Sequence, residues 1–354
     1  MSAPRRALVK AESAWWMSRV LLSNLGGWTA TMGWVAANPE AHSLPRLVAL
    51  YTAITLAGGA VFVVNDILDA KGDAVTAPYL PIPAGLVTVR QARALLGAFL
   101  VGASLALYLA AGGLARFAVA AGLIIGGFVL VLLYSKVKSE GLFGSVVVTV
   151  PQTVVPAAVG WVVAEGGVRR RLIALLVYCV LAGVSNNVLA ALRDVDRDGA
   201  VGNRTLPVRK GGPAAFRFAA LLGVLALIPV GLLALDGERG QWAWPFVVAA
   251  AAVIAFCYRP LMRKFAEPER GRTQRLKDLQ VYKFAEYLRH TAVVAAFNPV
   301  IAIIVGALFY TGLHGGYVLY RRRLVSGALR RSWDRATGSA ATTGPGSPAK
   351  AGRG

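Results

Sequence analysis

Asn65-Asp66-Ile67-Leu68-Asp69-Ala70-Lys71-Gly72-Asp73 closes an apolar run that begins near Leu47. Three carboxylates and an amide thus end a segment otherwise suited to a lipid bilayer. On a helix Asn65, Asp69 and Asp73 fall at i, i+4 and i+8 with Asp66 one step round, so their side chains share a face. Like charges held together repel, and a divalent cation relieves the repulsion. Hard oxygen ligands without His or Cys suit Mg²⁺, which keeps waters and shares phosphate oxygens. The stretch therefore reads as a metal-diphosphate site.

Composition frames that reading. Of 354 residues 56% are hydrophobic and only 16% charged, and the mean hydropathy is +0.57. These values describe an integral membrane protein and exclude an ordinary soluble domain. The net charge of +21 sits in short loops and a tail between apolar runs, which points to lipid headgroups and to no nucleic acid. Cys179 and Cys257 lie inside apolar runs and read as packing residues. The basic start (Arg5, Arg6, Lys10) lacks the pattern of a cleaved signal peptide.

Runs long enough to span a bilayer as helix recur near 20–37, 47–69, 92–113, 117–135, 142–164, 172–193, 214–235, 242–258 and 291–313. The expectation is an all-α polytopic bundle of nine transmembrane helices, kinked at Pro151, Pro156, Pro229 and Pro299, with a central cavity open to lipid. A basic segment at 1–15 precedes the membrane domain at 16–320, and a basic, largely disordered tail occupies 321–354. Between runs, Arg259 to His290 interleaves basic and apolar residues and reads as an amphipathic helix on the membrane surface. Lys and Arg favour the loops on the side of the aspartates, which places that side in the cytoplasm.

A second acidic cluster, Asp194, Asp196 and Asp198, ends the sixth run, preceded by Asn187 and followed by Arg204-Thr205-Leu206-Pro207. Asp194 and Asp198 again stand at i, i+4, while Asp196 turns away toward solvent. The layout repeats: Asp69 and Asp73 precede Leu80-Pro81 as Asp194 and Asp198 precede Leu206-Pro207, which suggests an internal duplication. Taken alone, each pair could be a solvated helix end. Two matched clusters on one side of a membrane protein carry a functional reading.

Together these residues resemble the UbiA superfamily of intramembrane prenyltransferases. Asn65 to Asp73 is similar to its first aspartate-rich motif, Asp194 to Asp198 with Thr205-Leu206-Pro207 to its second, and Tyr134-Ser135 with Lys138 to its tyrosine and lysine loop. Leu80-Pro81 departs from the Arg-Pro that members commonly carry. The resemblance implies Mg²⁺ held by Asn65, Asp66, Asp69, Asp73, Asp194 and Asp198, the five aspartates being catalytic. It also implies an isoprenyl diphosphate at the cytoplasmic mouth, contacted by Lys138 and Arg204, with Lys71 and Lys136 behind them and Asn187 and Tyr134 nearby. Phe62, Tyr108, Phe128, Tyr134, Trp161 and Tyr178 are candidates for an aromatic cavity that keeps water from the allylic cation. The leading expectation is prenyl transfer to an aromatic or lipid acceptor. Alternatives are a membrane terpene cyclase, which needs no acceptor, and a transporter, whose acids belong at mid-membrane.

Overall fold

The computed structural model describes residues 3–320 except 41, 42, 77, 79, 138, 139, 201 and 268–270. The tail at 321–354 and Lys138 lie outside the described residues. The described chain is helical: α1 (Ala3–Ser18), α2 (Val20–Ala37), α3 (Leu44–Leu68), α4 (Ala70–Thr76), α5 (Val89–Ala111), α6 (Leu114–Val137), α7 (Leu142–Thr149) and α8 (Val155–Val163) form the first half. The second comprises α9 (Arg169–Arg193), α10 (Val195–Ala200), α11 (Leu206–Lys210), α12 (Gly212–Leu225), α13 (Leu227–Asp236), α14 (Trp244–Ala266), α15 (Arg272–Ala295) and α16 (Pro299–Tyr320).

Prolines set the breaks. Pro151 converts the join of α7 and α8 into a π turn over Val150–Val154, because its ring displaces the normal backbone hydrogen bond. Pro229 displaces the carbonyl four residues earlier, and the break between α12 and α13 falls there. Pro299 differs from expectation. It does not kink a run but starts α16, with Asn298 Oδ1 accepting the Ile301 amide at 3.1 Å as its cap.

Close packing has a small-residue origin. A Cβ added at Gly33 of α2 would strike the Ala157 carbonyl of α8, and one at Gly160 of α8 would strike the Ala30 carbonyl of α2. The two helices meet through reciprocal glycines, backbone against backbone. At the end of the bundle remote from the aspartates, Arg46 Nε donates to Ala110 O at 2.8 Å and Nη2 to Val163 O at 3.1 Å, joining α3, α5 and α8.

Seven segments among the described residues are long and apolar enough to cross a membrane: Leu44–Leu68, Val89–Ala111, Leu114–Tyr134, Leu142–Val163, Arg169–Arg193, Gly212–Asp236 and Gly240–Ala266. The polytopic bundle is as expected, and seven of the nine expected runs meet this measure among the described residues. The helices α2, α15 and α16 run beside these seven, and α15 corrects the sequence reading most. It is no surface helix. At one end Arg275 pairs with Asp196 at 2.8 Å, and at the other the Ala296 carbonyl accepts the Arg239 amide at 3.1 Å. It therefore traverses the bundle.

Its buried face carries charged and polar residues, unlike that of a surface helix. Val281 (59%) and Phe284 (40%) are exposed, whereas Glu286, Arg289 and His290 are buried. Arg289 donates to Gly223 O at 2.9 Å, and His290 Nδ1 shares a 2.8 Å hydrogen bond with the Tyr178 hydroxyl. Glu286, Arg289 and His290 thus share the buried side of α15 with Leu279, Tyr282, Ala285 and Tyr287, so charge lies inside the bundle and away from lipid. With α15 crossing, α16 runs back toward the aspartate end, where Gly312 lies against Asn24 of α2.

Two outcomes follow. Gly33→Ala or Gly160→Ala forces α2 and α8 apart and costs about 1–3 kcal/mol, read as a lower unfolding temperature in detergent. Single cysteines at Glu140 and Gly271, in a background lacking Cys179 and Cys257, react from one side of sealed vesicles, and cysteines at Glu165 and Glu238 from the other.

Candidate active site

The two acidic segments adopt one local design. Each follows a 25-residue helix, α3 and α9. Each helix is capped by an aspartate near the bridge region, Asp69 at φ −87°, ψ 1° and Asp194 at φ −102°, ψ 12°. A short helix follows, and its amide at i+4 returns to the capping residue: Asp73 N to Asp69 O at 2.8 Å, Asp198 N to Asp194 O at 2.9 Å. The loops match as well. Pro81 and Pro207 are buried, and four residues after each comes a glycine at positive φ, Gly85 (+70°) and Gly211 (+81°), where a side chain would strain the turn. The repeat seen in sequence is thus a repeat of backbone conformation.

The two segments sit at the same end of the bundle. Arg197 Nη2, from α10, lies 2.9 Å from Asp73 Oδ1, from α4. Tyr134, on the last turn of α6, is within electrostatic reach of both Asp69 and Asp198. The carboxylates are closed by guanidinium groups: Asp66 by Arg19 at 2.7 Å, Asp73 by Arg197 and Asp194 by its neighbour Arg193. Asp66 is buried, and its Oδ2 has no hydrogen-bond partner. Burial pushes the carboxyl of Asp73 above its ordinary range against the pull of Arg197. Burial raises Asp198 likewise, opposed by the hydrogen bond from Asn203 Nδ2 at 3.2 Å.

Arg19 reaches Asp66 from a left-handed backbone, φ 47° and ψ 35°, between α1 and α2. For a residue other than glycine that conformation costs about 1–2 kcal/mol. Its guanidinium also lies 4.9 Å from the centre of the Phe62 ring, and the cation–π contact helps hold it.

The remaining expected residues are distributed as follows. Asn65 is half-buried on the last turn of α3, and Asp69 and Lys71 are exposed beside it. Arg204 is exposed before α11. The side chain of Lys136 lies outside the described residues, as does Lys138. Asn187 is turned to packing, its Nδ2 donating to Thr149 Oγ1 of α7 at 3.0 Å. Among the described residues no three His, Cys, Asp or Glu side chains already converge as a metal cluster, so the shared helical face does not by itself bring the carboxylates to one point. The chain bends at Asp69, and Asp66 and Asp73 each take a separate guanidinium.

Other readings also change. Tyr108 is 51% exposed on the outside of the bundle, edge-on to Phe117, and cannot line an interior cavity. Tyr178 is fully buried against His290. Asp196 is exposed as expected, yet Arg275 holds it through both carboxylate oxygens at 2.8 and 3.1 Å. Sequence reasoning missed Arg19 and Arg197. The available signal was a basic residue directly before an apolar run and one inside the second acidic motif.

Comparison with known proteins agrees with this geometry. Residues 14–283 match the model of the UbiA prenyltransferase family. The chain is 34% identical over 213 residues to the digeranylgeranylglyceryl phosphate synthase of Methanopyrus kandleri, covering 59% of this chain and 73% of that protein. It is 31% identical over 235 residues to the synthase of the same name from Methanoculleus marisnigri, covering 65% and 78%. Among solved structures, a digeranylgeranylglyceryl phosphate synthase aligns with TM-score 0.60 at 16% identity, covering 81% of this chain and 98% of that one. A UbiA homolog from Archaeoglobus fulgidus bound to GPP and Mg²⁺ aligns with TM-score 0.53 at 17% identity, covering 87% and 99%. These two share the fold, and the family match extends over most of the sequence. The protein is a multi-pass membrane protein belonging to the UbiA prenyltransferase family.

Proposed function

We propose that this chain moves a prenyl group from an allylic diphosphate to a hydroxyl of a glyceryl phosphate lipid, at the end of the bundle that carries the aspartates. The observation that carries the reading is the pair of matched aspartate-capped helix ends joined by Arg197 and Asp73 at 2.9 Å. The relatives named digeranylgeranylglyceryl phosphate synthase support a lipid acceptor over an aromatic one. The lysine- and arginine-rich loops support a cytoplasmic site.

The donor set fits a divalent cation. Asp66, Asp69, Asp73, Asp194 and Asp198 offer hard oxygens with Asn65 beside them, and the buried, unpartnered Asp66 Oδ2 is a lone pair in need of a cation. Mg²⁺ bound there supplies neutralisation of the charge that gathers on the departing diphosphate. Tyr134, Lys71 and Arg204 are the candidates to orient phosphate oxygens there, with Lys136 and Lys138 following Tyr134 in sequence. The apolar helices hold the prenyl chain and exclude water, so the acceptor hydroxyl meets the allylic carbon as its bond to diphosphate oxygen breaks.

The test uses purified chain in lipid nanodiscs with geranylgeranyl diphosphate, Mg²⁺ and a singly prenylated glyceryl phosphate, followed by mass spectrometry. The expected product carries a second prenyl group, and Asp69→Ala or Asp194→Ala lowers its rate by 10²-fold or more. A hydrocarbon or terpene alcohol formed from diphosphate with no acceptor would overturn the reading in favour of a cyclase.

A further inference from the structure

We propose that Arg19 and Arg197 are resident cations of the acidic site: they neutralise Asp66 and Asp73 while it is empty, and release them to metal as diphosphate arrives. The inference rests on the metal-diphosphate reading of the same residues and assigns a role to two arginines, one before α2 and one within the second acidic motif.

The need for such cations follows from burial. The side chains of Asp66 and Asp73 are each only 7% exposed, and each has one oxygen on a guanidinium, at 2.7 and 2.9 Å. An ionised carboxylate so placed without a counter-charge is too costly to persist. Before loading, the arginines hold these groups ionised and keep the two motifs together. Arg197 makes the link directly, because it is carried by the second motif and binds the first.

Each arginine also has a way to let go, although Arg19 must leave the Phe62 ring as well as the carboxylate. Arg197 is 41% exposed, and the helix that carries it, α10, has no buried residue. Little packing resists its movement. Arg19 occupies the joint between two helices in a left-handed conformation, where a change of backbone torsion relieves strain and swings the side chain away from Asp66. Each guanidinium that leaves a carboxylate remains beside the diphosphate, and its planar donors suit phosphate oxygens in pairs. The exchange of arginine for metal on the aspartates is thus matched by an exchange of aspartate for phosphate on the arginines.

This role has an experimental signature that a simple structural tie lacks. Mn²⁺, standing in for Mg²⁺, is titrated into the purified full chain in nanodiscs by electron paramagnetic resonance, with and without inorganic pyrophosphate. Arg197→Gln and Arg19→Gln should bind Mn²⁺ alone about tenfold more tightly, because a competing cation is gone. With pyrophosphate present the same variants should bind Mn²⁺ about tenfold more weakly, because a phosphate ligand is gone. Arg197→Lys keeps the charge but not the planar fork, so it should bind Mn²⁺ alone near wild type and bind it severalfold more weakly with pyrophosphate present; wild-type binding in both titrations would overturn the phosphate half of the exchange. Thermal unfolding of each variant checks that it is folded, and Arg197→Lys serves if the glutamine variants are not. Weaker or unchanged Mn²⁺ binding without pyrophosphate in folded Arg197→Gln would overturn the inference. A wild-type chain that binds no Mn²⁺ with or without pyrophosphate would instead overturn the reading of the site.

Discussion

Carboxylates held at the mouth of an apolar bundle must be neutralised, and the arrangement of the aspartate end answers that single demand. Asp66, Asp73 and Asp194 each meet a guanidinium, drawn from the N-terminal joint, from the second motif and from the end of α9 respectively. These contacts fix how α1, α4 and α10 sit on the long helices. The pair Arg197–Asp73 spans 124 positions of sequence and ties the two acidic segments together at one end of the bundle.

The same constraint acts deeper in the bundle. A charged group facing lipid has no water to turn to, so α15 points Glu286, Arg289 and His290 inward and Val281 and Phe284 outward. Arg289 bonds a backbone carbonyl that α12 exposes at Gly223, where a Cβ would strike the guanidinium and the Tyr282 hydroxyl. The absence of a side chain at Gly223 is what makes room for a buried arginine. Polar residues within this helix bind it to the rest of the bundle, the reverse of their effect in a helix lying at an interface.

These two cases mark what the sequence could and could not disclose. The apolar runs, the acidic motifs and their duplication are local patterns, and α3, α9 and their aspartate caps follow them closely. The path of α15 is not local. Its composition fits a membrane surface as well as a bundle interior, and only partners elsewhere, Asp196, Gly223 and Tyr178, decide between them. Arg19 and Arg197 were hidden for the same reason, since a basic residue's partner is set by the tertiary fold. Tyr108 shows the converse: an aromatic residue in a spanning helix has a face, and a run apolar on all sides does not reveal which face turns inward.

The position of the aspartates on their helices is itself informative. Asp69 and Asp194 cap the C-terminal ends of α3 and α9, where the helix dipole and the last free carbonyls already present negative charge. Stability alone favours lysine, arginine or glycine there. Acids at both ends, in matched conformation and on the same side, impose a cost that the fold does not need. A divalent cation reverses the sign of that cost, because carboxylates and helix-end dipoles then attract it together. On the proposed reading the chain meets the cost in part with arginine before metal binds, a cation that neutralises the carboxylates without occupying the place a metal ion would take.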